Sequence, residues 1–372
     1  MTHGGSGVKD GRRFDRQIFG LALPALGALA AEPTYVLVDT AIVGHLGTPE
    51  LAALAIAATL LSTAVTLCNF LTYGTTARVA RLHGAGERAA AGRRGSQALW
   101  LSLALGTLVL VLTLALAGPA VTLMGGRGET ASLAAGYLRI CALGVPFAMI
   151  ALAGQGFLRG LGNLRTPLVI LVAANATNAA LEVLFVYGFG WGLAGSAWGT
   201  VLAQSGMGLA FVYWLLRAPA DSRRPSWATM RPLLRVGGDI AVRTGALLLS
   251  FMLASAVAAR MGEVPLAAHQ VAFGLFVFLA LVLDAIAIAG QILVGRMLGA
   301  GDADAAHAAA RRMIFWSVAV GLLFLAVLLA GTGRSRGSFP EIPGWSRGRR
   351  TCGPSSRSCS PWVQPSSRST AS

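Results

Sequence analysis

Residues 18–43 read IFGLALPALGALAAEPTYVLVDTAIV, and this apolar run decides the class of protein. It is longer than the roughly 20 residues that a helix needs to cross about 30 Å of hydrocarbon. The whole chain of 372 residues is 55% hydrophobic and only 12% charged, with a mean hydropathy of +0.66. One soluble core cannot hide that much apolar surface, so the sequence predicts an integral membrane protein.

Eight more apolar stretches follow the first, and each is about long enough for one membrane-spanning helix. They are 51–73, 98–117, 134–157, 167–187, 193–216, 240–259, 272–294 and 313–329. The first stretch follows Arg12, Arg13 and Arg16, as a signal peptide would, but it is too long for one and contains Asp39. We therefore expect a retained first helix and an all-α membrane fold of about nine transmembrane helices.

The arginines are unevenly distributed between the two sides of this predicted topology. One side holds only Arg127 and Arg260 in its loops. The other side holds Arg12, Arg13, Arg16, Arg78, Arg81, Arg88, Arg93, Arg94, Arg159, Arg165, Arg217, Arg223, Arg224, Arg231, Arg235, Arg296, Arg311 and Arg312. Cytoplasmic loops carry an excess of Lys and Arg. We therefore expect a multi-pass protein of the inner (cytoplasmic) membrane, with a cytoplasmic N-terminus and membrane lipid around it.

The net charge of +15 follows mostly from this bias. No aromatic residues are interleaved with a basic surface, so nucleic acid is not an expected partner. Cys68 and Cys141 lie within spans, and Cys352 and Cys359 lack metal-ligand or redox-motif spacing. The five histidines are scattered and there is no Gly-rich phosphate loop. We expect no metal, no cofactor and no enzyme activity.

The chain repeats itself with a constant offset of 215 residues. Residues 45–90 match residues 260–305, so that Gly47 falls on Gly262, and the loop GAGE at 84–87 falls on GAGD at 299–302. The copies contain spans two and eight, an even displacement, so the two halves share one orientation and are related by an axis along the membrane normal. This predicts a two-lobed bundle of parallel six-helix repeats with a cleft between the lobes.

The second repeat is shorter than the first by about three helices, which leaves nine of an expected twelve. The expected organisation is a cytoplasmic tail at 1–13, a first lobe of six helices at 14–217, a Pro- and Arg-rich linker at 218–236, a partial second lobe of three helices at 237–333, and a disordered tail at 334–372. The last segment is rich in Ser, Arg, Pro and Gly and has almost no helical periodicity. It is either a basic regulatory tail or, as we favour, an out-of-frame C-terminus.

Several stretches together resemble one transporter family. LALPALGALAAEPTYVLVDTAIVGHLG at 21–47, PELAALAIAATL at 49–60, GAGE at 84–87 and NAALEVLFVYGFGWGLAGSAWGT at 178–200 are similar to the multidrug and toxic compound extrusion family, and within it to the DNA-damage-inducible F branch. The likeness covers residues 14 to about 330. It implies a twelve-helix, two-lobed secondary antiporter that expels cationic or amphipathic compounds in exchange for protons or sodium ions.

Ionisable residues inside apolar spans are expensive and tend to mark an ion route. In span one, Glu32, Tyr35 and Asp39 share one helical face. In span five, Asn175, Asn178 and Glu182 form a polar stripe. The stripe is expected to face Asp39.

The resemblance implies roles for these residues. Asp39, Asn178, Glu182 and Thr200 would surround the coupling cation or share its proton, and Glu32, Tyr137 and Gln155 would add hydrogen bonds around the same chamber. The family more often has Asp where this chain has Glu182, which favours protons over sodium as the coupling ion. A plainer alternative is that Asn178 and Thr200 only hydrogen-bond between helices.

Other residues in the spans carry open alternatives. Pro24 lacks an N–H and is expected to act as a hinge of span one, in line with the family, although prolines are also merely tolerated in membrane helices. Asp239 and Arg243 lie four residues apart in the second lobe and are expected to form an ion pair rather than to contact substrate. Asp284 lies deep in span eight without an assigned role.

The sequence therefore favours multidrug efflux by alternating access. Two like carboxylates cannot both ionise cheaply in a low dielectric, so Asp39 and Glu182 would carry a proton between them. The alternatives are a lipid-precursor flippase of the same superfamily, which requires a cationic cavity, and a non-functional relic of a transporter. No pattern indicates substrate identity or oligomeric state.

Overall fold

Helices make up nearly all of the described chain. The computed structural model describes residues 6–335, and side chains from residue 14 to residue 330. Within that range the α-helices are α1 (Ser6–Gly44), α2 (Thr48–Leu67), α3 (Phe70–Gly84), α4 (Arg88–Leu123), α5 (Gly128–Ala142), α6 (Val145–Gly160), α7 (Arg165–Val183), α8 (Gly192–Arg217), α9 (Trp227–Met261), α10 (Glu263–Gly299) and α11 (Ala303–Ser335). A π-helical turn, Leu184–Gly188, continues α7. The predicted all-α fold is confirmed.

The predicted number of spans is also confirmed. Eight described helical segments are long and apolar enough to cross a membrane, and α5 with α6 makes a ninth when that bent pair counts as one span. The pair bends by 51° around Leu143 and Gly144. The sequence predicts one span over 134–157, and the structure bends it because Pro146 has no N–H to continue the helical hydrogen bonds and instead lies in the first turn of α6.

The ends of the chain are described only in part. Helix α1 begins at Ser6, so it extends eight residues ahead of the predicted start of the first lobe at Phe14. Residues 334 and 335 end α11, and the rest of the predicted tail, 336–372, lies outside the described residues. By its internal contacts the chain forms two units, Met1–Gly321 and Leu322–Ser372. The core, the cavities and the contacts between helices described below all belong to the first unit.

Helix α6 is the most thoroughly buried helix of the first six spans. Helix α6 contacts α3, α4 and α8. A Cβ at Gly156 would lie 2.6 Å from the Thr72 carbonyl oxygen, and one at Gly160 would lie 2.6 Å from Val79 Cβ. These two glycines, four residues apart, let the backbones of α3 and α6 approach closely, which is how membrane helices associate where no hydrophobic driving force exists between them.

The repeat is visible where α3 meets α10. Both helices end in the same cap: the Glu87 N–H donates to the Leu82 carbonyl and the Asp302 N–H donates to the Met297 carbonyl, each at 3.0 Å. The cap glycines have left-handed φ values of 78° and 80° at Gly86 and Gly301. Each of these pairs of residues differs by the predicted offset of 215.

The contact between the two helices is reciprocal. A Cβ on Gly84 would overlap the carbonyl oxygen of Arg296, and a Cβ on Gly299 would overlap the carbonyl oxygen of Arg81. Residue pairs 84/299 and 81/296 are again related by 215, so the two repeats cross about a pseudo-two-fold axis. We call this contact the α3–α10 crossing. It closes the bundle at the end that carries the loops 84–87 and 299–302.

The reciprocal geometry of the α3–α10 crossing predicts that a larger side chain at Gly84 or at Gly299 destabilises the protein equally. Gly84→Val and Gly299→Val each force a side chain into opposing backbone, and overpacking of this kind destabilises by about 1–3 kcal/mol or more. We expect both variants to lower the thermal unfolding midpoint of the protein in detergent by similar amounts. Gly118→Val is the control, because a Cβ at Gly118 in α4 meets nothing within 4 Å. If both crossing variants unfold at the same temperature as Gly118→Val, the close backbone contact at the α3–α10 crossing is contradicted.

Candidate functional site

A cavity of about 570 Å³ lies among the helices of the first lobe. Its wall is formed by α1, α2, α5, α6, α7 and α8. All of the described residues that line it precede Ala218, the start of the predicted Pro-rich linker. The main cavity therefore lies within the first repeat, whereas the repeat had suggested a cleft between the lobes.

The wall of the cavity is mostly apolar, with polar groups that converge from α1, α5, α6, α7 and α8. The apolar part includes Leu51, Leu54, Leu61, Val65, Leu152, Leu171 and Met207, and the polar part includes Glu32, Tyr35, Asp39, Tyr137, Gln155, Asn175, Asn178, Thr200 and Gln204. Binding sites for small organic molecules have this composition, because apolar walls supply contact area and a few polar groups fix orientation.

Helix α1 contributes its predicted polar face to the cavity. Glu32, Tyr35 and Asp39 all line the wall, as their spacing implies. The helix passes through two prolines, Pro24 and Pro33. The sequence reading considered only Pro24, which does not line the cavity; Pro33 lies directly beside Glu32 and removes a backbone hydrogen bond at the level of the site.

Side chains supply extra donors near the second proline. Thr34 Oγ1 donates to the Ala30 carbonyl at 2.8 Å, and Asn175 Nδ2 of α7 donates to the Ala31 carbonyl at 2.9 Å. Asn175 therefore holds the backbone of α1, while Asn178 and Glu182 of the same stripe lie deeper in the lobe.

The two carboxyl groups meet at one hydroxyl. Ser196 Oγ lies 3.0 Å from Asp39 Oδ1 and 3.4 Å from Glu182 Oε1. Asp39 is 5% exposed, and Glu182 and Ser196 are fully buried. A single hydroxyl hydrogen serves only one acceptor at a time, and Glu182 Oε2 has no hydrogen-bond partner among the described residues. With both carboxyls ionised, the pair is short of donors.

Thr200 organises the other side of the pair. Its hydroxyl lies 3.2 Å from the Tyr35 hydroxyl, accepts from Asn178 Nδ2 at 3.3 Å, and reaches Glu182 Oε1 at 3.5 Å. The structure thus brings Asp39, Asn178, Glu182 and Thr200 into one hydrogen-bonded group. Tyr35 joins them from α1.

Close packing of α7 on α8 makes these contacts possible. A Cβ on Gly195 would lie 2.8 Å from the Phe185 carbonyl carbon, and one on Gly199 would lie 3.1 Å from Glu182 Cγ. Each glycine is followed by a hydroxyl residue, so Ser196 and Thr200 reach Glu182 from a closely approaching backbone. The sequence reading missed Ser196, although its spacing of four residues from Thr200 in GSAWGT puts both hydroxyls on one helical face.

Two further predicted residues line the cavity. Tyr137 of α5 is 4% exposed and lies against its wall. Gln155 of α6 also lines it, and its Oε1 accepts a hydrogen bond from Arg159 Nη2 at 3.0 Å. Arg159 is buried, so Gln155 connects the cavity wall to a buried positive charge.

The charged residues of the second repeat lie outside this cavity. Asp239 and Arg243 of α9 are exposed, and their charged atoms do not approach within 4 Å, so the expected ion pair is not formed in the described structure. Asp284 accepts a hydrogen bond from the Tyr73 hydroxyl at 3.0 Å, and Gln291 Nε2 donates to the Tyr73 carbonyl at 2.9 Å. Both contacts join α10 to α3.

An ion pair that the sequence reading did not anticipate joins α1 to α11. Arg312 donates to both carboxylate oxygens of Asp15, at 2.7 and 2.6 Å, and Trp316 Nε1 donates to the same carboxylate at 2.7 Å. Phe19 packs edge-on against Trp316. Partners so far apart in the chain leave no local spacing signal.

Known proteins share both the sequence and the fold. The family model MatE matches residues 24–184 and 240–333. Protein DETOXIFICATION 44, chloroplastic, of Arabidopsis thaliana is 33% identical over 327 residues, which cover 82% of this chain and 60% of that protein. DNA damage-inducible protein F of Escherichia coli (strain K12) is 33% identical over 330 residues, which cover 85% of this chain and 71% of that protein.

A solved structure agrees with these matches. The outward-facing conformation of a multidrug resistance MATE family transporter of the MOP superfamily superposes with a TM-score of 0.76 at 25% identity, over 85% of this chain and 72% of that one. The chain thus spans between about three fifths and three quarters of the length of these proteins. From the extent of these matches, the chain belongs to the MatE family, the multidrug and toxic compound extrusion transporters, and is similar to its DNA damage-inducible F branch.

Proposed function

We propose that this protein is a secondary active antiporter of the cytoplasmic membrane that exports cationic or amphipathic organic compounds in exchange for protons. The observation that carries the proposal is the buried pair Asp39 and Glu182, bridged by Ser196 beside an apolar cavity of about 570 Å³. Ionisable residues inside a membrane bundle are retained where they face a cavity and take part in ion movement.

The lining of the cavity supports a cationic or amphipathic substrate. Leucine, valine and methionine side chains offer contact area, and Glu32 and Asp39 offer negative charge. Among the described residues that line the cavity there is no Arg or Lys. A flippase for anionic lipid precursors would need positive charge at this place, so the lining favours drug export over that alternative.

The hydrogen bonds of the pair support proton coupling. Glu182 Oε2 is buried and has no hydrogen-bond partner among the described residues. A proton shared between the carboxyls supplies the missing donor and removes one negative charge from the low-dielectric interior. Ser196 lies between the two groups and can donate its one hydroxyl hydrogen to whichever carboxyl is ionised.

A transport cycle follows from these elements. A substrate cation in the cavity and a proton on the carboxyl pair compete for the same negative charge, so protonation releases the substrate. One charge that moves down 100 mV gives about 2.3 kcal/mol, which corresponds to roughly fifty-fold accumulation. Pro24 and Pro33 of α1 are the proposed hinge, since each interrupts the helix that carries Asp39.

The α3–α10 crossing suggests which state the structure represents. The crossing closes the end of the bundle whose loops hold most of the arginines. The positive-inside rule assigns that end to the cytoplasm, with the N-terminus on the same side. We infer that the closed crossing corresponds to the outward-facing state, and that substrate enters from the cytoplasm when the crossing opens.

Removal of either carboxylate should abolish coupled transport. In everted membrane vesicles energised by a proton gradient, we expect Asp39→Asn and Glu182→Gln to reduce uptake of ethidium to the level of vesicles without the protein. Matched controls are Asp221→Asn and Glu129→Gln, which make the same changes at exposed positions outside the cavity and should leave uptake unchanged. A wild-type chain without uptake would contradict the transport proposal and favour a non-functional relic.

Ser196 should tune the pH dependence of transport. A hydrogen bond to a charged group stabilises it by about 1.5–3 kcal/mol, so Ser196→Ala removes stabilisation from the ionised pair. In Ser196→Ala we expect the midpoint of the pH profile of transport to rise by about one pH unit. The pH profile of ethidium transport measures this, with Ser205→Ala as the control because Ser205 donates only to the Val201 carbonyl of its own helix. An unchanged profile for Ser196→Ala would exclude this role.

A further inference from the structure

A second cavity, of about 350 Å³, lies at the end of the bundle closed by the α3–α10 crossing. Arginines from α3 and α4 dominate its wall, and we call it the arginine pocket. It is lined by Arg78, Arg81, Leu82, Ala85, Glu87, Arg94, Leu298 and Gly299. The proposed transport mechanism uses none of these side chains.

Two guanidinium groups in this pocket lack a counterion. Arg78 and Arg94 are half-buried, and no carboxylate of the described chain lies within 4 Å of either. Glu87 is exposed and stays beyond that distance although it lines the same pocket. Arg94 Nη1 donates a long hydrogen bond, of 3.4 Å, to the Thr229 carbonyl oxygen. Like charges withdrawn from water without a partner are unfavourable, so the pocket is suited to an anion.

The size and chemistry of the pocket favour a phosphate group with an organic extension. Its volume is many times the roughly 30 Å³ that one water molecule occupies in the liquid. Arginine presents a planar fork of donors that matches phosphate oxygens. Leu82 and Leu298 add an apolar part to the wall, which a bare inorganic ion would not contact.

The position of the pocket favours a lipid as the source of that phosphate. It lies on the arginine-rich side that the positive-inside rule assigns to the cytoplasm. The cytoplasmic leaflet is negatively charged, and basic pockets between transmembrane helices bind anionic headgroups there. We propose that the arginine pocket binds the phosphodiester headgroup of one anionic phospholipid.

The pocket draws its wall from both repeats. Arg78, Arg81 and Arg94 belong to the first repeat, while Leu298 and Gly299 belong to the second. Gly299 is also one of the two glycines of the α3–α10 crossing. A headgroup that needs both walls binds the closed crossing better than the open one, and a ligand with such a preference shifts the population toward the closed state.

The test is lipid binding by the full chain in native mass spectrometry. Purified protein in neutral detergent is titrated with phosphatidylglycerol and, separately, with phosphatidylcholine of the same acyl chains. We expect the wild type to retain one phosphatidylglycerol at concentrations where phosphatidylcholine is not retained. The double variant Arg78→Gln and Arg94→Gln should bind about twenty-fivefold more weakly, the product of two contributions of about fivefold each.

The matched control is the double variant Arg88→Gln and Arg93→Gln. Both residues lie on α4 beside the pocket, both are exposed and neither lines it, so this variant makes the same change in net charge. It should bind phosphatidylglycerol as the wild type does. Equal losses in the two double variants would show general surface attraction and overturn the proposal, as would full retention by the pocket variant. The single variant Arg94→Gln, with an intermediate loss expected, guards against misfolding of the double variant.

A competition arm separates the two sources of phosphate. Inorganic phosphate at millimolar concentration is added to the complex of the wild type with phosphatidylglycerol. Retention of the lipid adduct supports a lipid site, because the glycerol and acyl groups add contacts that free phosphate lacks. Complete displacement would identify the pocket as a site for soluble phosphate and would contradict the lipid assignment.

Discussion

The Ser196 hydroxyl between two buried carboxyl groups is the interaction on which the first lobe depends. Asp39 comes from α1, Glu182 from α7 and Ser196 from α8, so one hydroxyl links three helices. Among the described residues the group has few donors for two ionised carboxyls, and in the proposed cycle its state depends on whether a proton or another cation is present. A buried group with two charge states is the kind of element that couples ion binding to helix rearrangement.

Small residues position the rest of the bundle around that group. Gly195 and Gly199 bring α8 close enough to α7 for hydroxyls to reach Glu182, and Gly156 and Gly160 bring α6 against α3. The α3–α10 crossing uses the same device between the repeats. The glycine contacts inside the first lobe keep its helices packed around the site. The α3–α10 crossing, in contrast, must separate if the proposed cycle is to open the cytoplasmic side.

Much of this architecture could be predicted from sequence because its signals are local. Apolar length predicts the spans, and the offset of 215 residues predicts the matching caps of α3 and α10. Helical spacing places Asp39, Tyr35 and Glu32 on one face. Contacts between distant segments carry no such signal: the Asp15–Arg312 pair is an example, and the location of the cavity inside one lobe depends on the packing of six helices. Ser196 is an intermediate case. Its spacing from Thr200 can be read from the sequence, but its contacts with Asp39 and Glu182 cannot.

In the proposed cycle, substrate and proton compete for the carboxyl pair. The most direct measurement is proton release when a lipophilic cation, tetraphenylphosphonium, is added to purified protein in weakly buffered detergent solution with a pH-indicator dye. We expect the wild type to release protons in proportion to the cation bound and Asp39→Asn to release none. Binding of the cation by the wild type without proton release, or equal release by Asp39→Asn, would contradict this competition.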